Sequence, residues 1–313
     1  MLRGIKDYVR AESVEHAARL LAERADSIEI LCGGTDLLLV DHGYDTLLDI
    51  SQLELDYIRE EDGALRIGAT TSIESISRSA LVQSFADGIL NTSCRIFGTL
   101  QIRNMATIGG NVANAMPAAD PPSALMALDA VVVAVSAAGG KIHERQIPIA
   151  EFFTGPRKTV LAAREMIREI RIPRAFREWR GAWKKIGRVW RDIALVNVGV
   201  SARFAAAGGT TSGGGVSSAS GDGRAARAGG PPVIEDVRIA LCAVAPAPFR
   251  AREAEDLLRG KAATRALLEE AAAAVRRAVR PISDVRASET YRRHVSGVLA
   301  RRALAEISGL PEE

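Results

Sequence analysis

The chain has 313 residues, room for two domains, with 47% hydrophobic and 25% charged residues. This is ordinary globular composition and excludes a fibrous, collagen-like or disordered protein. Its 41 Lys and Arg against 38 Asp and Glu leave a net charge of +3, and only 4% of residues are aromatic, so neither an electrostatic nor a base-stacking nucleic-acid surface is indicated.

In chain order, the first element is a helix capped by Ser13, with Val14, Ala17, Ala18 and Leu21 at helical spacing. Strands follow at Ser27–Leu31, Thr46–Ile50 and Ala64–Gly68, then a mostly helical stretch from Thr71 to Ile96 that stops at Phe97-Gly98. A glycine turn is expected at Thr107–Asn111, then strands at Val131–Val135 and Glu169–Ile172, closed by Pro173. The second half reads as strands at Trp183–Ile186, Ala194–Phe204 and Val233–Val244, then helices at Ala251–Leu258, Thr264–Val279 and Ser288–Ile307. Between two of those strands, the Gly-, Ser- and Ala-rich segment Ala205–Gly230 reads as a flexible loop. These elements predict an α+β fold, with a domain of residues 1–173 (subdomains at about 1–60 and 61–173) and a second of residues 174–313.

Cys32, Cys94 and Cys242 are scattered and odd in number, with no C-x-x-C pair, so a disulfide scaffold, a zinc site and a resident iron–sulfur cluster are not expected. The N-terminus lacks an apolar signal region and no apolar run reaches membrane-spanning length, which predicts a cytoplasmic chain with no membrane span.

Three glycine clusters compete for a chemical role. Gly221–Ala226 formally fits G-x-G-x-x-A, but Ser and Gly precede it where a dinucleotide fingerprint needs a buried strand. Gly33-Gly34-Thr35-Asp36 follows a strand, and paired glycines let successive amides converge on an anion. Thr107-Ile108-Gly109-Gly110-Asn111 is the third, with Asn111, Asn114 and Asp120 offering groups suited to sugar or ribityl hydroxyls. Taken singly, each of the last two is also an ordinary turn; two in one domain suit a long cofactor with a central pyrophosphate.

The runs Cys32-Gly33-Gly34-Thr35-Asp36-Leu37-Leu38 and Gln101-Ile102-Arg103-Asn104-Met105-Ala106-Thr107-Ile108-Gly109-Gly110-Asn111, with Pro117–Asp120, Asp192–Ala194 and Asp284–Arg292, resemble the FAD-binding (medium, flavin) subunit of the molybdenum hydroxylases. That is the xanthine dehydrogenase and carbon monoxide dehydrogenase group. The resemblance implies a two-subdomain FAD-binding fold of the vanillyl-alcohol-oxidase type, followed by a C-terminal domain of antiparallel strands and helices. By similarity, Cys32 and the backbone of Gly33, Gly34, Thr35, Asp36, Leu37 and Leu38 hold the pyrophosphate. Thr107, Gly109, Gly110, Asn111 and Asn114 form a second cofactor loop, with Asp120 on the ribityl or nearby hydroxyls. Phe97 packs on the adenine, Met166 and Ile167 line the isoalloxazine, and Lys184 lies near its pyrimidine edge.

The resemblance further implies an electron-transfer role. A large partner binds molybdopterin and oxidises the substrate, and a small partner carries [2Fe-2S] clusters. The flavin subunit takes single electrons and passes them to NAD, a quinone or oxygen, in a dimer of heterotrimers with no residue acting as a catalytic acid, base or nucleophile. His16, His42, His143 and His294 lie outside both glycine motifs, so FAD is expected to be non-covalent. Two alternatives stay open: a stand-alone FAD oxidase or dehydrogenase, and an assembly subunit that has lost FAD. Arg191 stands where some relatives have an acidic residue, and the basic run Tyr291–Arg302 reads as a docking face or a solvated helix side.

Overall fold

The computed structural model describes residues 5–39, 43–205 and 230–311. The segment Ala205–Gly230 lies, except for its two end residues, outside the described residues; the strands flanking it pair antiparallel, Phe204 opposite Ile234.

The N-terminal layer is a parallel sheet of β1 (Asp7–Arg10), β2 (Ile28–Leu31) and β3 (Thr46–Asp49) in the order β1-β3-β2. Helix α1 (Val14–Arg24) connects β1 to β2. Ser13 starts it, its Oγ accepting from the His16 amide at 3.1 Å, and Ala17, Ala18 and Leu21 form its buried stripe. Ala17 and Leu21 share a core with Leu48, Ile50, Val135 and Met166, which joins this layer to the next sheet.

That sheet is antiparallel, ordered β4-β5-β10-β6-β7, from β4 (Ile58–Glu61), β5 (Ala64–Gly68), β6 (Val131–Ala138), β7 (Lys141–Pro148) and β10 (Met166–Pro173). A short hairpin, β8 (Phe153–Gly155) and β9 (Lys158–Thr159), precedes β10. The stretch 71–96 is three short helices, α2 (Ile73–Arg78), α3 (Ala80–Gln83) and α4 (Ile89–Ile96). Ser72 and Ser79 cap α2 and α3, and Asp87 at φ 52° breaks the chain before α4.

Helix α5 (Leu100–Met105) is held by Arg103, whose Nε donates to the buried Glu74 at 2.6 Å and whose Nη1 donates to the carbonyls of Phe97 and Gly98 at 3.3 Å. Thr107–Asn111, expected as a glycine turn, is instead the opening of helix α6 (Ile108–Asn114). Thr107 caps it through Oγ1 to the Gly110 amide at 3.2 Å. Neither glycine there supplies a left-handed conformation; Gly109 is needed because a Cβ would lie 2.7 Å from Ala69. Helix α7 (Pro121–Ala127) then leads back into the sheet through β6.

The C-terminal sheet is antiparallel, ordered β11-β12-β13-β14, from β11 (Arg180–Ile186), β12 (Val196–Phe204), β13 (Val233–Cys242) and β14 (Phe249–Arg250). Helices α9 (Arg252–Leu258), α10 (Arg265–Ala278) and α11 (Glu289–Ser308) cover it; α8 is the short turn Ile149–Phe152. Within the basic run of α11, Arg292 points inward, donating to the carbonyls of Leu195 at 2.8 Å and Ala243 at 3.1 Å and pairing with Asp284 at 2.8 Å. That side chain ties helix to sheet and belongs neither to a docking face nor to a solvated one. Against its desolvation, the amides of Arg286 and Ala287 and the guanidinium groups of Arg286 and Arg292 hold the Asp284 carboxyl far below the ordinary carboxylate range. Among the described residues no helix is long and apolar enough to cross a membrane.

Candidate functional site

A cleft of about 520 Å³ runs between the parallel layer, helix α6 and the approach to β10. That volume lies within the range of roughly 300–1,000 Å³ usual for ligand sites. It is lined by Cys32, Gly33, Gly34, Thr35, Asp36 and Leu37 from the turn after β2, and by Phe97. Thr107, Gly109, Gly110, Asn111 and Asn114 from α6 form the facing wall, with Met166 and Ile167 behind. Fourteen of the seventeen residues singled out from the sequence are thus brought to one cleft, although their sequence positions span 32 to 167.

The two glycine clusters do different work. At the first, Gly33 must lack a side chain because a Cβ would lie 1.9 Å from the Met105 carbonyl oxygen, so turn and helix α5 pack backbone to backbone. Gly34 takes φ 66°, with Leu38 beneath it. The amides of Gly34, Thr35 and Asp36 make no hydrogen bond within the described residues, while Leu38 and Leu39 donate back to Gly34 and Asp36. Three free amides on the wall of a cleft suit an anion. At the second cluster the amides are occupied: Ile108 donates to Thr71, Gly109 to Ala69, Gly110 to Thr107 and Asn111 to Thr107. The contribution of α6 therefore comes from side chains. Asn111 is buried, and its Oδ1 has no protein partner, an unmet acceptor on the cleft wall.

Three of the residues picked from the sequence do not line the cleft. Leu38 packs under the turn and is 40% exposed to solvent on its other side. Asp120 is buried behind α7 and pairs with Lys185 at 2.6 Å, with Asn197 Nδ2 donating to its Oδ1 at 3.3 Å. Lys184 ion-pairs with Glu306 of α11, on the opposite side of β11. The placement of Lys184 has a simple cause: consecutive residues of a strand point to opposite faces. Lys184 stands opposite Val198 and Lys185 opposite Asn197, and it is Lys185 that faces the N-terminal half.

The sequence reading missed Glu29, Tyr44 and Arg157, which also line the cleft. Glu29 and burial push the Tyr44 phenol up from its ordinary value. Glu165, another lining residue, is held by Arg145 at 2.6 and 2.7 Å. Burial pushes the Cys32 thiol up from its ordinary value.

A sheet-backed cleft with a free-amide turn, a second wall of small and amide side chains, and an antiparallel C-terminal sheet define a cofactor-carrying subunit. The chain matches the FAD binding domain in molybdopterin dehydrogenase over residues 3–175 and the CO dehydrogenase flavoprotein C-terminal domain over residues 181–307. It is similar to the glyceraldehyde dehydrogenase medium chain of Sulfolobus acidocaldarius, with 32% identity over 306 residues that cover 96% of this chain and 98% of the relative. The carbon monoxide dehydrogenase medium chain of Hydrogenophaga pseudoflava is 31% identical over 304 residues, 95% of each chain. In structure it is similar to the carbon monoxide dehydrogenase of Hydrogenophaga pseudoflava that lacks the Mo-pyranopterin moiety of the molybdenum cofactor. There the TM-score is 0.84 at 30% identity, covering 98% of both chains. The chain belongs to the FAD-binding medium subunits of the molybdenum hydroxylase family, oxidoreductase subunits of the xanthine and carbon monoxide dehydrogenase type.

Proposed function

We propose that this chain carries non-covalent FAD as the electron-transfer subunit of a molybdenum hydroxylase complex. It takes single electrons from a small partner with [2Fe-2S] clusters and passes them to NAD, a quinone or oxygen. A large molybdopterin-binding partner meets the organic substrate, and the complex is a cytoplasmic dimer of heterotrimers. The division at Pro173 separates the FAD-binding domain, 1–173, from the C-terminal flavin-subunit domain, 174–313.

The observation that carries this reading is the free-amide turn at Gly34–Asp36 on a cleft whose other wall holds the unpartnered Asn111 oxygen. The residues present fit FAD. The Gly34, Thr35 and Asp36 amides would hold the pyrophosphate, and Asn111 and Asn114 the hydroxyls. Phe97, Met166 and Ile167 would exclude water from its rings. Bound flavin supplies the change between one- and two-electron chemistry. Positioning and charge are what remain for the protein.

Replacing Asn111 by alanine is expected to weaken FAD binding about fivefold, the loss of a hydrogen bond of about 1 kcal/mol, with little change in melting temperature. Flavin-fluorescence titration and thermal melts by circular dichroism check it. The complex itself is tested by mixing the FAD-loaded chain with its iron–sulfur partner after that partner has been reduced with dithionite and desalted. Bleaching of the flavin absorption band is expected; a flavin that stays oxidised beside a reduced partner would rule out the electron-transfer role.

A further inference from the structure

We infer that Arg157 is the cation facing the negative charge of the reduced flavin ring, the role that family resemblance gives to Lys184. The inference rests on the FAD reading of the cleft. Among the described residues lining it, Arg157 is the one that carries positive charge. The acids there are Glu29, Asp36 and Glu165, and Glu165 is already held by Arg145. Lys184 and Lys185 hold Glu306 and Asp120, away from the cleft.

The position of Arg157 is built into the backbone. It sits at the tip of the β8–β9 hairpin with φ 55°, a left-handed conformation that is strained for a non-glycine residue and persists only where the surroundings enforce it. Its amide donates to the Ala115 carbonyl at 3.0 Å, and Ala115 is itself left-handed at φ 47°. Its guanidinium Nη1 donates to Asn114 Oδ1 at 2.9 Å. Two strained residues thus lock the hairpin tip onto the last turn of α6.

That end of the cleft is distant from the free-amide turn. Thr107, Ala106 and the Gly33 contact stand at the start of α6, and Asn114 stands at its end, about 10 Å along the axis for seven residues at 1.5 Å each. A pyrophosphate on the Gly34–Asp36 amides therefore leaves the guanidinium to the far part of the cofactor. Beyond Ala115 the chain reaches the C-terminal sheet, where the Pro117 carbonyl accepts from the Ala243 amide at 2.6 Å. Arg157 thus marks the end of the cleft that adjoins the second domain.

Two electrons and one proton convert the neutral oxidised ring into a reduced ring with one negative charge. The electrons come from the reduced iron–sulfur partner in the proposed complex, or from dithionite in a titration. A fixed cation stabilises the charged product and leaves the neutral form nearly unaffected. Arg157 is exposed in this structure, so part of its effect is screened by water.

The test uses the full chain as Arg157→Gln and Arg157→Lys. Affinity for oxidised FAD is read by fluorescence, and the two-electron potential by dithionite titration against a reference dye. Arg157→Gln is expected to weaken reduced FAD about tenfold relative to oxidised FAD, about 30 mV downward for a two-electron couple. Arg157→Lys should recover most of that difference. Equal losses for both oxidation states would overturn the inference and assign Arg157 to the pyrophosphate or to the hairpin alone. So would a lysine variant no better than glutamine. Failure of the unaltered chain to take up FAD would overturn the flavin reading itself, an outcome distinct from either.

Discussion

Gly33→Ala is expected to lower FAD affinity by on the order of a hundredfold, about 2.7 kcal/mol, because the added methyl has nowhere to go. Its Cβ would lie 1.9 Å from the Met105 carbonyl oxygen and 2.7 Å from the carbonyl carbon, and both neighbours are backbone. A flexible side chain could swing aside at little cost. Here either the turn or helix α5 must shift as a unit, and Arg103 holds α5 in place through Glu74 and the carbonyls of Phe97 and Gly98. Overpacking of this kind costs about 1–3 kcal/mol, and the shift also moves the three free amides out of register with one another. Gly155→Ala is the control: nothing lies within 4 Å of its Cβ, and affinity should stay close to that of the unaltered chain. FAD titration of both variants, with circular dichroism to show that each is folded, decides the matter. A Gly33→Ala chain that binds FAD within about threefold of the original would mean that the turn does not hold the cofactor.

The same contact explains why parts of the structure were legible in the sequence and parts were not. Helix α1 carried its own instructions, a Ser13 cap and an alanine–leucine stripe, and the C-terminal helices α10 and α11 likewise carried caps at Thr264 and Ser288. The β3 and β5 strands were visible as short apolar runs between turn residues. Thr107–Asn111 misled because two adjacent glycines weaken a helix, and local preference points to a turn. The reason for Gly109 is Ala69, about forty residues away in sequence, which a local pattern cannot report. For the lysine pair, alternation along β11 says that Lys184 and Lys185 face opposite ways but not which of them faces α7; that depends on how the C-terminal sheet docks. Arg157 left no local trace either, since its position is set by the end of α6 across a sequence gap of over forty residues. What composition and motif could supply was the identity of the cleft walls. What they could not supply was which charged groups face into the cleft.

Lys185→Met is expected to destabilise the protein by about 3–5 kcal/mol at neutral to alkaline pH, the usual result of leaving a buried charge without its partner. Lys185 and Asp120 have side chains 6% and 7% exposed, 2.6 Å apart. Around them Asn197 donates to the Ala119 carbonyl at 3.0 Å, Ser123 donates to Asn197 at 2.5 Å, and Trp183 donates to Ser123 at 2.9 Å. This network joins α7 to strands β11 and β12, so its failure separates the two halves of the molecule rather than loosening one. Burial outweighs the nearby ammonium and pushes Asp120 up to about 6 from the ordinary value of 3.8. A carboxyl with a raised folded-state value contributes stability that is full below about pH 4, falls as pH rises, and is lost above about pH 6. Removing the ammonium raises the folded value further and extends that loss upward. The deficit of Lys185→Met should therefore be larger at about pH 8 than at about pH 5, where the carboxyl takes a proton and no buried charge remains. Lys184→Met removes a half-exposed pair with Glu306 and should cost only about 0–1 kcal/mol. Urea unfolding of both variants at the two pH values measures each difference. Equal deficits at the two pH values would mean that the lysine acts through packing, and that Asp120 carries no charge in need of a partner.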